Sequence, residues 1–154
     1  MLVYLSLGAN LGNREETINK ALDLLSEQVG PLIKRSSFYY SEPWGFDSQN
    51  DFCNICASFN TILSPLELLA TTQSIERQLG RKKKITKLPN SPINEKMVNE
   101  QMRKYEDRLI DIDIIRAFEN NGSEIFFTHS TLHIPHVYWK QRDFVKVPLS
   151  EIMH

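Results

Sequence analysis

The segment from Arg108 to Ile115 alternates with a period of two: Ile110, Ile112 and Ile114 recur, with Asp111 and Asp113 between them. In an extended strand successive side chains leave opposite faces, so the isoleucines share one side and both carboxylates the other. An isoleucine face of this kind must lie against a core, which places the segment in a sheet. The two aspartates then stand about 6–7 Å apart at their backbones, given a rise near 3.3 Å per residue. Aspartate is depleted in strands, and neighbouring carboxylates repel unless a cation lies between them. The pair therefore makes sense as a divalent-metal platform, with a half-exposed strand carrying two solvated aspartates as the plainer alternative. Arg108, three residues upstream of Asp111, favours the platform because its planar fork suits phosphate oxygens.

A chain of 154 residues is expected to form one domain, residues 1–154, large enough to bury a core without staples. Its 18 basic and 19 acidic residues leave a net charge of −1, so any attraction for phosphate must be local. The basic run from Arg81 to Lys84 is one local source. Met1 to Leu7 shows neither a basic leader nor a small-residue cleavage site, and no apolar run reaches membrane-spanning length. Cys53 and Cys56 have C-x-x-C spacing but fall in an alternating strand pattern, where residues three apart face opposite ways. They read as core-side thiols of a reducing compartment, and the protein as cytoplasmic.

The elements follow from periodicity and punctuation. Leu2–Leu7 reads as a strand, and Asn13 with Glu16 as a capping pair. Ile18, Ala21, Leu22, Leu25 and Val29 then mark one helical face, stopped by Gly30 and Pro31. Leu32 to Tyr40 predicts a strand, residues 41–50 a loop, and Phe52 to Ile62 a strand with Cys53, Ile55, Ala57 and Phe59 on one side. Ser64, Pro65 and Glu67 open a second helix that runs to Leu79, with Leu68, Leu69, Ile75 and Leu79 facing the core. Residues 81–104 read equally as a flap or a small packed helix. After the aspartate strand come a strand over Glu124–Thr128, an irregular return over Leu132–His136 and a short helix near Arg142–Val145. The β-α-β-β-α-β order predicts an α+β sandwich of ferredoxin-like type, a mainly antiparallel sheet with its helices on one face.

Mg²⁺ prefers carboxylate oxygen, keeps several waters and completes its shell with substrate phosphates, so the platform implies a nucleotide. Neither a G-x-x-x-x-G-K-[ST] loop nor a G-x-G-x-x-G turn is present. The phosphates must then be held by side chains, with Arg81, Lys83, Arg108 and Arg142 as cationic candidates and His136 as a neutral donor. Each alone reads as an ordinary surface residue. With a metal platform they could neutralise the charge that develops in phosphoryl transfer.

Several of these features lie together in a known pattern. Arg108-x-x-Asp111-x-Asp113, Leu132-x-x-Pro135-His136, and Arg142-x-Phe144 with Pro148 and Leu149 form one part. Leu7 to Leu11, Ser36 to Tyr39, Asn54, and Gln73-x-x-Glu76 with Gly80 and Arg81 form the other. In this order, over nearly the whole chain, the pattern resembles the 6-hydroxymethyl-7,8-dihydropterin pyrophosphokinase family. The resemblance implies a folate-pathway transferase that passes the β,γ-diphosphate of ATP to the pterin hydroxymethyl oxygen and releases AMP. It implies that Asp111 and Asp113 hold two Mg²⁺ ions and that Arg81 and Arg108 offset charge at the phosphates. It further implies ATP contacts from Gln73, Glu76, Arg81, Lys83, Tyr105, Arg108, Ile114, His133, His136 and Arg142. The pterin pocket would be Ser41, Glu42, Trp44, Phe52, Asn54 and Phe144, where aromatics stack on a flat ring and an amide reads its edge.

The chain also departs from that pattern. Tyr105-Glu-Asp107 precedes Arg108 where the family usually has Trp-Gly-Pro, and Lys83 offers a point charge where a forked arginine is common. The segment between Arg81 and Arg108 is longer than the family's. Two other readings compete. An RNA-binding module can share the element order but needs aromatic and basic groups on its central strands, where this chain has two acids. A metal-dependent phosphohydrolase would consume ATP without pterin. The expected partners are ATP and the pterin, with no nucleic acid and no membrane, and the expected state is a monomer.

Overall fold

β1 (Leu2–Ala9) is buried on both faces, and the rest of the molecule is arranged around it. The computed structural model describes residues 1–41, 51–80 and 109–153. β1 pairs antiparallel with β4 (Phe52–Asn60) on one side and with β5 (Asp111–Phe118) on the other. β2 (Leu32–Arg35) and β3 (Tyr39–Ser41) both pair antiparallel with the far edge of β4. The sheet order is therefore β2-β4-β1-β5, with β3 beside β2 along β4.

Two helices close the first face. α1 (Arg14–Gln28) begins where the Asn13 side chain accepts the Glu16 N–H, as the sequence predicts, and buries Ile18, Ala21, Leu22 and Leu25. It ends at Gly30, whose backbone is in the left-handed region (φ 153°), and a Cβ there would collide with the carbonyl oxygen of Asn60. α2 (Pro65–Gln78) opens with a reciprocal capping box between Ser64 and Glu67. Against these helices lie Val3, Leu5 and Leu7 of β1, Cys53, Ile55, Ala57 and Phe59 of β4, and Ile112, Ile114 and Ala117 of β5. Phe59 is fully buried, and its truncation to alanine is expected to cost about 3–5 kcal/mol.

The opposite face is covered by α3 (Asp143–Ile152), whose Val145, Leu149 and Ile152 pack on Tyr4, Cys56 and Ile115. The expectation that the helices share one face is thus corrected: α1 and α2 do, and α3 packs behind. The helical spacing of Val145, Pro148, Leu149 and Ile152 carries this element past Val145, where the sequence reading stops. A bulge makes the second cluster possible. Leu5 pairs with Ile114 and Tyr4 with Arg116, so Ile115 is the extra residue and turns toward α3.

Other boundaries move for local reasons. The single strand expected over Leu32–Tyr40 is two, because the Ser36 hydroxyl donates to the Ser37 carbonyl and accepts the Cys56 N–H, interrupting the ladder. The strand expected over Glu124–Thr128 is β6 (Phe127–His129), and Glu124 makes only an isolated bridge to Phe118. The expected irregular return contains β7 (Leu132–Ile134), paired antiparallel with β6. Residues 81–104 lie outside the described residues. Among the described residues no helix is long and apolar enough to cross a membrane.

Candidate active site

The bare and acidic positions of three neighbouring strands meet on the face that α3 covers only in part. Gly8 of β1 stands between Asn54 of β4 and Asp111 of β5, and Ser6 stands between Cys56 and Asp113. Adjacent strands lie about 4.8 Å apart, so Asn54 and Asp111 are separated by one strand that offers no side chain between them. Asp111 and Asp113 point away from the buried Ile112 and Ile114, as their alternation predicts, and both are half-buried.

Around this row are two cavities with a common wall. The larger, about 500 Å³, is lined by Leu69, Gln73 and Glu76 of α2, residues 111–114 of β5, residues 131–133, His136, Val137 and Arg142. The smaller, about 170 Å³, is lined by Ser6, Gly8, Ser41, Phe52, Asn54, Asp111, Asp113, Arg142 and Phe144. The first falls in the range of small-molecule sites. The second is of the size that holds an aromatic ring, since a cavity of roughly 150 Å³ accommodates benzene. Asp111, Asp113 and Arg142 line both.

Each wall is held in place by packing or hydrogen bonds. The Glu76 carboxylate is buried in α2 and accepts the Ile112 backbone N–H at 2.8 Å, meeting the outer edge of β5 between the two aspartates. The His136 N–H donates to the Ile115 carbonyl at 2.8 Å, so the bulge on β5 also anchors the segment that follows β7. His136 Nδ1 accepts the Tyr138 N–H at 3.1 Å. Burial, and then the nearby Arg142 charge, push its pKa below the ordinary 6.5, against the opposing pull of Asp111. The ring is neutral at pH 7, with its proton on Nε2 free to serve as a donor. The Arg142 guanidinium lies 5.7 Å from the ring centres of both Tyr138 and Phe144, which brace it where the cavities join. Asn54 is 4% exposed, and its Oδ1 is buried with no hydrogen-bond partner among the described residues.

Of the residues picked from sequence, Gln73, Glu76, Ile114, His133 and His136 line the larger cavity, Ser41, Phe52, Asn54 and Phe144 the smaller, and Asp111, Asp113 and Arg142 both. Glu42, Trp44, Arg81, Lys83, Tyr105 and Arg108 lie outside the described residues. Sequence reasoning missed Ser6 and Leu69 as wall residues, although Leu69 is signalled by its helical spacing to Gln73 and Glu76. It places Gly8 in a turn after Leu7, whereas β1 continues through Ala9 and keeps Gly8 inside the strand.

The described residues contain no cluster of three or more histidine, cysteine or acidic side chains able to hold a metal alone. Two carboxylates side by side suit Mg²⁺, which takes part of its shell from phosphate and water. A larger space and a ring-sized space that share such a pair and an arginine fit a two-substrate group transferase.

The 7,8-dihydro-6-hydroxymethylpterin-pyrophosphokinase family matches residues 4–154 of this chain. A Porphyromonas gingivalis protein named 2-amino-4-hydroxy-6-hydroxymethyldihydropteridine pyrophosphokinase is 39% identical over 153 residues, covering 98% of this chain and 90% of that one. A Bacillus subtilis protein of the same name is 32% identical over 152 residues, covering 98% and 77%. In structure, the chain is similar to the Plasmodium falciparum HPPK-DHPS, with a TM-score of 0.60 at 16% identity, covering 99% of this chain and 40% of that one. The likeness in structure shows a common fold of helices and antiparallel sheet. The chain belongs to the 7,8-dihydro-6-hydroxymethylpterin-pyrophosphokinase family. It is a Mg²⁺-dependent diphosphokinase of folate biosynthesis that transfers a pyrophosphoryl group from ATP to hydroxymethyldihydropterin.

Proposed function

We propose that the larger cavity takes ATP, the smaller takes the pterin, and the carboxylates between them hold two Mg²⁺ ions at the transferring phosphates. The observation that carries this division is the shared wall: Asp111, Asp113 and Arg142 line both spaces, so a group passing from one to the other must cross them. Bound Mg²⁺ would supply Lewis-acid charge stabilisation at the phosphate oxygens.

The chain's own residues position the rest. Gln73 and Glu76 on α2, with Ile114, His133 and His136, form the walls assigned to the nucleotide, and neutral His136 donates from Nε2. Arg142, braced by its two aromatic rings, offers a fixed positive charge to the diphosphate as it moves. Phe52 and Phe144 give flat apolar surface to the pterin, and Asn54 Oδ1, without a partner among the described residues, accepts from an N–H on its edge. By family resemblance, Ser41, Glu42 and Trp44 complete the pterin pocket. Lys83 and Tyr105 join the nucleotide contacts, and Arg81 and Arg108 offset charge at the phosphates. The pterin hydroxymethyl oxygen attacks the β-phosphorus and gives up its proton. The bond from that phosphorus to the α,β-bridging oxygen breaks, and AMP leaves with the oxygen. Positioning and charge supply most of such a rate enhancement.

The order β2-β4-β1-β5 supports a ferredoxin-like assignment for the sheet with α1 and α2. Two free, buried cysteines fit a cytoplasmic enzyme. The test is product identity: protein with MgATP and 6-hydroxymethyl-7,8-dihydropterin should release AMP in step with pterin consumed. Release of ADP or inorganic phosphate, or ATP loss without pterin, rejects the reading.

A further inference from the structure

Gly8 sits in the interior of β1, where a glycine loses the most conformational freedom on folding and has no side chain to pack. Backbone conformation does not demand it: among the described residues the glycines with positive φ are Gly12, Gly30, Gly80 and Gly122. The demand is for space. A Cβ on Gly8 would lie 2.4 Å from Nδ2, 3.4 Å from Cγ and 3.9 Å from Oδ1 of Asn54, its partner on β4. These three nearest atoms all belong to one side chain. The Asn54 amide therefore reaches the bare backbone of β1 nitrogen first, with Oδ1 turned farther away, in the strand row that continues to Asp111.

Two further observations give this contact a purpose. Asn54 Oδ1 is buried and has no hydrogen-bond partner among the described residues, a condition native structures tolerate where a ligand completes it. Gly8 and Asn54 also both line the smaller cavity. We propose that Gly8 is a positioning residue for ring recognition, its missing side chain leaving room for Asn54 Nδ2 so that Oδ1 is turned to meet an N–H donor on the edge of a flat heteroaromatic ring. With alanine at this position the rotatable amide yields while the strands hold, so the carboxyamide turns into the ring's space. The inference rests on the assignment of the smaller cavity to the pterin.

The test uses the full chain and the variants Gly8→Ala, Asn54→Ala and their combination. Gly8→Ala should raise the KM for 6-hydroxymethyl-7,8-dihydropterin about tenfold, the cost of one lost hydrogen bond to a buried group, and leave the KM for ATP within about twofold. Its unfolding midpoint should fall in the parent background and not in the Asn54→Ala background, since the obstruction is the amide. Should Gly8→Ala fail to fold, recovery of folding in the double variant supports the proposal and continued failure overturns it. A pterin KM that stays near the parent's, two KM values that rise in parallel, or an equal loss of stability in both backgrounds also overturns it. Failure of the underlying reading looks different, because the parent protein itself would then release no AMP with pterin.

Discussion

The Glu76 carboxylate accepts the backbone N–H of Ile112 at 2.8 Å, and Ile112 is the residue between Asp111 and Asp113. Among the described residues β5 is the edge strand of the sheet, and no neighbouring strand there receives this N–H. The carboxylate from α2 supplies the acceptor and fixes the backbone from which both aspartates project. Glu76→Ala leaves a buried donor unsatisfied, a loss of about 1–3 kcal/mol. Glu76→Gln keeps an acceptor oxygen at the same reach. The alanine variant should therefore unfold at a clearly lower urea concentration, and the Mg²⁺ concentration needed for half-maximal AMP release should rise. The glutamine variant should recover most of the lost stability. Equal losses in both variants would show that the charge, and not the hydrogen bond, is what matters at this position.

Asp111→Asn and Asp113→Asn test the platform directly. Each keeps the shape of the side chain and removes one charge, so the fold should survive. Turnover should fall by about 10²–10³-fold or more, the scale seen when a preorganised electrostatic group is removed. Chelating the metal should abolish AMP release in the parent without unfolding it, because the two carboxylates proposed to hold it are half-buried and no part of the core. The measurements are initial rates of AMP formation and thermal unfolding of the same samples, with and without chelator.

Much of this arrangement can be read from the chain, and what cannot has identifiable causes. The alternation of Ile110 to Ile114 and the helical spacing in α1 and α2 are local patterns, so the paired aspartates on one face of β5 and the first core face were legible. The bulge at Ile115 was not, because Ile114 and Ile115 look alike in sequence and only the pairing with Tyr4 and Leu5 shows which is extra. The short helix near Arg142–Val145 was legible, but its place behind the sheet depends on that bulge and on Cys56, and so escaped the same reading. Asn54 was picked out by family resemblance, and its dependence on Gly8 emerges only when β1 and β4 are set side by side.

Arg116 carries a pH prediction. Its guanidinium donates through Nε and Nη2 to Glu124 at 2.9 and 2.8 Å and lies over the rings of Phe118 and Trp139. These hydrogen bonds hold the Glu124 pKa below its ordinary 4.5. A carboxylate depressed by folding stabilises above its unfolded value, and that contribution is lost as pH falls through its folded one. Both side chains are 21% exposed, so solvent screens the pair in part and its removal should cost about 1–2 kcal/mol. Arg116→Met should lower the urea midpoint at pH 7 and flatten its fall below about pH 4.5 relative to the parent. Arg116→Lys should recover little, since a point charge cannot reproduce the fork. A pH slope unchanged in Arg116→Met would assign the acid sensitivity to other carboxylates.

Cys53 and Cys56 test the two-faced sheet from another direction. Cys53 packs among the residues under α1 and α2, and Cys56 among those under α3, so the C-x-x-C spacing puts the thiols on opposite sides of β4. Burial first, and the Glu15 charge second, push the Cys53 pKa up to about 11, and burial pushes Cys56 up to about 12. Cys56 Sγ–H also donates to the Val145 carbonyl at 3.5 Å, linking β4 to the first turn of α3. At pH 8 the thiolate fraction of Cys53 is roughly one in a thousand and that of Cys56 smaller still, and the thiolate is the reactive form. A disulfide-exchange reagent should therefore label the native protein at least about 100-fold more slowly than free cysteine, and both thiols should react at once in concentrated urea. Mild oxidation should leave the native chain without an internal crosslink, because neither sulfur can reach the other across the sheet. Rapid native labelling of Cys56 would mean that α3 lifts from the second face, and with it Arg142 and Phe144 would leave the site they wall.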